Sequence, residues 1–473
     1  MMNYAKKKGC SGFLGTMMRA LIPVVFFTVG VAPADSLAKP DSLSVKYGAD
    51  FGVSTMSMTN THFGLGQLDV EYYAKDIART EAYVAPKVEF ILKDCSLSSF
   101  YGGLRAVGSY TRGDGDSWGL TAGERYSVSK APQLVGENLS HLDIDKAYIG
   151  WRSGETIPFV DRDGIDISIG KQNFMLGDGM VLVDGNDEAN AHKGIYWLDP
   201  RQAWENTGIL RVRKMPYYAE LFYLMTDHDA GDDEILGGNI ELQDSKHGKI
   251  GLSYFNVLKS AMDTRDGTST VGLHGRGHPL NDLPNMEIAG EFDYQRNTFP
   301  SKTARAWFSE VKYYIPELPW YPTIGYRYSS FSGDDASTGS NEAWDYMHNG
   351  STPYGFGYWY QGIVVGTYET RLSNLDTHFF NITLMPPLKD SWLKIFYYDY
   401  HFNKASTAKL DDTAVSSKRF ASEWDLILGY SPSGKVDYML IYGNATPHKG
   451  GVERVFGNDK HADILQFTVL MRF

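Results

Sequence analysis

The last dozen residues, Ala462 to Phe473, read ADILQFTVLMRF. Leu465, Phe467, Val469, Met471 and Phe473 fall at every second position, with Gln466, Thr468, Leu470 and Arg472 between them. A period of two is the repeat of a β-strand whose faces meet different surroundings, and no helix can hold such a set on one side. The chain stops on an aromatic residue in full apolar phase. The pattern predicts a final strand with one apolar face and a more polar one, ending on Arg472 in the polar phase.

The N-terminus says where such a strand would work. Lys6, Lys7, Lys8 and Arg19 precede an apolar run from Leu21 to Val31, followed by Ala32-Pro33-Ala34. A positive region, a short apolar core and a small-x-small site make a secretory signal peptide, expected over residues 1–34 with an alternative cut after Ala38. The run is too short for a comfortable membrane span. With four basic and no acidic residues in the leader, residues 35–473 carry 41 basic against 57 acidic residues, a net −16. That balance argues against nucleic acid as a partner. No segment after residue 34 offers the roughly 20 apolar residues of a transmembrane helix. Mean hydropathy is −0.32, yet aromatics reach 14 % with 31 tyrosines. A polar average rich in Tyr, Trp and Phe is what alternating strands with aromatic girdles produce. Cys95 is the single cysteine after the leader, so no intramolecular disulfide framework is expected there.

Counting backward from Phe473 yields a ladder of hairpins. Apolar-alternating stretches 435–443 and 420–430 meet at Ser431-Pro432-Ser433-Gly434, a tight turn of the short kind. Stretches 391–402 and 372–385 meet at residues 386–390, and 321–331 and 303–315 meet at 316–320. Further short joints fall near 278–285, 244–248, 214–216, 153–164 and 93–97. Long joints fall near 444–461, 332–371, 297–302, 259–269, 227–235, 175–204, 111–142 and 55–80. With a first strand at 43–54 the count is 18, and 16 is the alternative if the long joint 153–164 is not a short-side turn. An even number of antiparallel strands with both ends on the short-turn side is the signature of an all-β, up-and-down transmembrane barrel. Residues 35–473 are expected to form one such domain. Eighteen strands enclose a lumen wide enough for water, with 175–204 and 332–371 long enough to fold into it.

Alternation assigns faces. Val436, Tyr438, Leu440, Trp424, Leu426, Leu428, Ile288, Phe292 and Tyr294 fall outward. Glu423, Asp425, Glu287, Glu291 and Asp293 then point in, as do Lys87, Glu89, Arg105, Arg211, Arg213, Arg276, Lys312, Arg327 and Arg472. A charge on the lipid face costs about 2–4 kcal/mol at mid-membrane, which gives the assignment an energetic basis. Rings of such charge set ion selectivity, and cross-strand pairing, as between Lys87 and Glu89, is the structural alternative.

Gly170-Lys171-Gln172 followed by Leu176-Gly177-Asp178-Gly179 resembles the alginate-export family of outer-membrane barrels. Pro316 to Asp335, Glu423 to Asp437 and Leu372-Ser373-Asn374-Leu375 resemble it too. That resemblance implies an 18-stranded monomeric barrel in a Gram-negative outer membrane. It also implies a basic constriction passing anionic polysaccharide, to which Lys171 would contribute in place of the family's Arg. A terminal Phe such as Phe473 is similar to the assembly signal of such barrels. Expected partners are therefore outer-membrane lipid and lipopolysaccharide, the barrel assembly machinery, and small solutes or polysaccharide.

Two other chemistries have partial signals in the sequence. Asp227, Asp229, Asp232, Asp233 and Glu234 cluster in one loop, Asp114 and Asp116 in a second, Asp334 and Asp335 in a third, and oxygen ligands on loops suit Ca²⁺. No stretch has full EF-hand spacing, so Asp229, Asp232 and Asp233 are weak candidates and no cofactor is expected. An outer-membrane hydrolase is the different-class alternative. No G-x-S-x-G or H-E-x-x-H occurs, and His274 and His278 sit in a Gly/Pro stretch where solvation is expected. The expectation is a non-enzymatic channel.

Overall fold

The computed structural model describes residues 43–64, 76–94, 98–114, 139–186, 195, 197–228, 231–335, 337–350, 359, 361–405, 409–410, 413–414, 417–448 and 460–473. The leader, Cys95, Asp116 and Asp229 lie outside them. The first strands are β1 (Leu43–Thr59), β2 (Ile77–Asp94), β3 (Ser98–Gly113), β4 (Ser140–Arg152), β5 (Ile165–Lys171) and β6 (Asn206–Lys214). Next come β7 (Tyr217–Met225), β8 (Glu234–Asp244), β9 (Gly248–Lys259), β10 (Ser269–Gly277), β11 (Met286–Asn297) and β12 (Lys302–Tyr314). The remainder are β13 (Thr323–Phe331), β14 (Leu375–Leu384), β15 (Ser391–Phe402), β16 (Lys409–Leu410), β17 (Thr413–Ala414), β18 (Arg419–Tyr430), β19 (Val436–Pro447) and β20 (Ala462–Arg472). Strands β16 and β17, two residues each, pair only with each other between β15 and β18, and the other 18 form a single closed antiparallel sheet.

The final strand closes it. β20 pairs with β19 on one side and with β1 on the other, from Asp50↔Arg472 to Thr59↔Asp463. Phe473 extends the seam, exchanging two 3.0 Å backbone hydrogen bonds with Ala49. Closure leaves no edge whose N–H and C=O groups would need water, which is what lets a sheet sit in lipid.

Side chains follow the predicted phase. On β18, Trp424 is 55 % exposed and Leu426 45 %, whereas Glu423 is fully buried. On β11, Ile288, Phe292 and Tyr294 are exposed while Glu291 and Asp293 are buried. The exterior is therefore an apolar band, and charged side chains such as Glu423, Glu291 and Asp293 point in, an arrangement that suits a sheet facing lipid. The joint 153–164, the weakest in the count, is a folded turn. The Ser153 N–H donates to the Ile165 carbonyl (2.9 Å), the Asp163 N–H to the Gly154 carbonyl (2.8 Å) and the Asp161 N–H to the Arg213 carbonyl (3.1 Å). It caps the end of the β4–β5 hairpin, and the strand number is 18 rather than 16.

The barrel is wide, but its lumen is not simply water. Strands β5 and β6 are short, and the chain leaves the wall at Lys171, with residues 172–186 and 197–205 lying inside the barrel. The described residues between β13 and β14, 332–335, 337–350, 359 and 361–374, do the same. Trp204, Trp344 and Trp359 on these loops are fully buried, together with Leu182, Val364 and Val365. The loops meet each other: the His348 N–H donates to the Val181 carbonyl (3.0 Å), and the Val183 and Asp184 N–H groups donate to the His348 carbonyl (2.9 and 3.1 Å). Indole N–H groups find carbonyls, Trp204 to Phe174 (3.2 Å) and Trp359 to Asp178 (2.9 Å). The apolar core of this protein is thus inside the barrel, between wall and loops.

Candidate functional site

A cavity of about 280 Å³ lies against the inner wall of β1–β4 and beneath residues 198–202 of the first inserted loop. Asp50, Lys87, Glu89, Arg105, Asp145, Lys146 and Asp199 line it, with Tyr83 and Tyr148. Lys87 donates to Asp50 at 2.7 Å, which corrects the expected pairing with Glu89. Arg105 donates to Asp145 at 2.6 Å and to the Pro200 carbonyl at 2.6 Å, holding the loop to the wall. A β-bulge makes this arrangement possible. Arg105 lies opposite Lys146 and Ala106 opposite Ile144, so Asp145 is the extra residue and both it and Lys146 reach the cavity. Strict alternation would send one of them outward, and for that reason neither was found from sequence.

Asp199 completes the roof. Burial raises its pKa to about 6, partly offset by hydrogen bonds from Gln202 and with Asp184. Next to it Arg201 is fully buried, donating to the Val107 carbonyl (3.1 Å) and the Ser109 hydroxyl (2.9 Å). Burial lowers the Arg201 pKa from its usual value.

A second charged cluster occupies the wall of β10–β13. Arg276 donates to Asp178 of the first inserted loop at 2.7 Å and also binds Glu287. Lys312 lies 2.8 Å from Glu310, and Arg327, fully buried, lies 3.9 Å from the same carboxylate. Arg327 also stacks over Trp359 (4.7 Å) and Phe379 (4.9 Å), so it packs as well as pairs.

The inward acidic residues face the loops. Gly177 comes so close that an added Cβ would stand 3.1 Å from Glu291 Oε2. Glu423 accepts hydrogen bonds from the Val364 and Val365 N–H groups (2.7 Å each) and from the Tyr400 hydroxyl (3.2 Å). Asp425 accepts one from the Ile363 N–H (3.3 Å). These carboxylates hold the turn that enters the π-helical residues Val365–Glu369. His274, expected in solvent, is buried and bonded to Glu241 at 3.2 Å, because β10 extends across the whole Gly-rich stretch and turns it inward. His278 does lie at the exposed turn.

Of the remaining predicted residues, Lys171 is paired with Glu205 where the loop leaves the wall. Arg211 lies 3.4 Å from Glu220. Arg213 is exposed at the short-turn end and donates to the Arg162 carbonyl at 3.3 Å. Arg472 faces the same mouth and binds Asp437 at 2.6 Å. Every predicted inward cation except Arg213 engages a carboxylate, so pairing outweighs an open basic ring.

The acidic loop considered for Ca²⁺ is otherwise engaged. Asp232 bonds His228 at 2.6 Å, while Asp233 receives Arg265 at 2.7 Å and His348 at 2.8 Å. Among the described residues no group of three potential metal ligands converges. Arg265, nowhere singled out from sequence, is the centre of this region. It also grips Asp345 with two bonds of 2.9 and 3.0 Å, and Lys302 lies 3.7 Å from Asp345. Burial alone would raise the carboxyl pKa values, but Arg265 holds both Asp345 and Asp233 below their usual range. In return, despite its burial, Asp345 and then Asp233 push Arg265 well above its own.

No family model matches the chain, and no curated protein does. Solved structures do. OpdQ of Pseudomonas aeruginosa is similar over 91 % of this chain and 97 % of its own, with TM-score 0.53 and 11 % identity. The outer membrane protein opdK of the same organism aligns over 90 % and 98 %, with TM-score 0.51 and 9 % identity. OccAB4 of Acinetobacter baumannii aligns over 92 % and 100 %, with TM-score 0.50 and 14 % identity. At such identities the likeness is one of fold: this chain forms the closed 18-stranded antiparallel barrel that those proteins form.

Proposed function

We propose that the protein is a porin of a Gram-negative outer membrane, passing small charged solutes by passive diffusion. The carrying observation is the pair of loops packed inside a barrel with an apolar exterior, beside a cavity of about 280 Å³ lined by both signs of charge. That is the lower edge of the roughly 300–1,000 Å³ of small-molecule sites, room for one small solute. Paired cations and carboxylates offer a polar solute replacements for its hydration shell without a net field that would trap it. The barrel likeness to an outer membrane protein supports the location. Passive conduction needs no nucleophile, cofactor or metal.

The motifs around Lys171 and Asp178 support membership of the alginate-export type at the level of the barrel. Export of an anionic polysaccharide is the weaker alternative, because a polyuronate needs unneutralised cations along its path and the inward cations are paired. The test is planar-bilayer recording of refolded, heat-modifiable protein. Discrete conductance steps with weak selectivity in a KCl gradient are expected. Absence of steps from correctly folded protein refutes a porin, and strong anion selectivity with block by oligouronates favours the exporter.

A further inference from the structure

At the long-loop end of the barrel's outward face, some charges are paired in place. Lys259 lies 3.4 Å from Glu234, and Arg419 lies 3.2 Å from Asp399. Arg296 on β11 and Arg305 on β12 are different. Both are exposed on the outward face. Arg296 lies opposite Thr303 and Tyr294 opposite Arg305, so the two arginines are diagonal neighbours on adjacent strands, about 7–8 Å apart at Cα. Among the described residues no carboxylate binds either guanidinium. The nearby acidic loops are occupied: Asp335 holds Lys404 at 3.0 Å, and Asp266 accepts the Ser260 N–H at 3.0 Å.

Two like charges side by side without a counter-charge are costly, and more so on a surface that faces lipid. Their height resolves part of that cost. Arg296 is ten residues above Met286, the short-turn end of β11. At roughly 3.3 Å per residue and a tilt of about 40°, that is about 25 Å, the full height of an apolar band. The pair therefore sits at the headgroup level. Tyr294, Trp307 and Phe299 are exposed around it, as interfacial anchors are. Ser269 lies opposite Arg296 and adds a hydroxyl.

We infer that Arg296 and Arg305 form a docking site for the phosphates of a phosphorylated glycolipid of the outer leaflet. Guanidinium groups bind phosphate through two parallel charge-assisted hydrogen bonds, and two adjacent arginines match a phosphorylated sugar headgroup better than a single diffuse charge. The inference rests on the outer-membrane orientation proposed above, with long loops outward.

The test is native mass spectrometry of the delipidated full chain titrated with bisphosphorylated lipid A, dephosphorylated lipid A or phosphatidylglycerol. Conductance recorded on the same preparation separates failure of this site from failure of the porin proposal. Wild type should retain bisphosphorylated lipid A, and the Arg296→Gln/Arg305→Gln variant should bind it about tenfold or more weakly. Arg112→Gln, at an outward position at the end of β3, should change nothing. Equal binding by the double variant overturns the site. So does equal retention of dephosphorylated lipid A or of phosphatidylglycerol by wild type, a comparison that needs no variant to fold.

Discussion

Replacing Arg265 by alanine should detach the inserted loops from the wall. Its guanidinium makes two hydrogen bonds to Asp345 and one to Asp233, and all three side chains are at most 2 % exposed. Truncation leaves two buried carboxylates with Lys302 at 3.7 Å and His348 at 2.8 Å as remaining basic partners. Breaking a buried ion pair from one side costs about 3–5 kcal/mol. At about 1.4 kcal/mol per tenfold, the detached population of residues 337–350 should rise by at least about a hundredfold. Because His348 carries the backbone bridge to Val181 and Val183, the first inserted loop loses its partner as well. Limited proteolysis in detergent should cut the variant in these loops, and bilayer recordings should show larger, noisier conductance. Heat-modifiable migration should remain, since the barrel's own hydrogen bonds are untouched. Wild type offers the same test through pH. Asp345 and Asp233 have folded pKa values held below their unfolded ones, so their contribution is present above about pH 4 and is lost as pH falls through the folded values. Wild type at low pH should approach the variant. Identical proteolysis and conductance for Arg265→Ala and wild type would refute the latch.

Further outcomes follow from the lumen. Arg213→Glu should shift the KCl reversal potential toward cations, because among the described residues no carboxylate binds Arg213 at the mouth; Arg211→Glu should instead lower the thermal stability of the barrel by facing the buried Glu220 with a like charge. With its pKa near 6, Asp199 loses its proton between about pH 5 and pH 7, so cation preference should rise over that interval and the rise should flatten in Asp199→Asn. Gly362 has φ +121°, and an added Cβ would stand 2.3 Å from the Tyr400 hydroxyl and 2.6 Å from Glu423 Oε2. Gly362→Ala should therefore release the turn held by Glu423, read as new proteolysis near residues 361–370 with the barrel intact.

Much of the barrel was legible because its period is short and its penalties are local. Trp424, Leu426 and Leu428 could not point inward while Glu423 and Asp425 pointed out without a cost paid at each residue. Turns such as residues 431–434 mark themselves by Pro and Gly, so the count of 18 survived even the long joint 153–164. Asp145 and Lys146 escaped because a bulge breaks the period at that point. Arg265 escaped because its partners, Asp233 and Asp345, are 32 and 80 residues away on other loops. No local pattern links such positions.

The sequence by itself determined that this chain is an alternating-strand barrel and that ADILQFTVLMRF closes it. Tertiary structure alone decided how the lumen is used. It sent residues 172–186, 197–205, 337–350 and 361–374 inward, gave nearly every predicted inward cation a carboxylate, and, among the described residues, left Arg296 and Arg305 without one. The division has a physical cause. Facing is fixed residue by residue through burial and solvation, whereas ion pairing depends on which distant segments the closed sheet brings within about 4 Å.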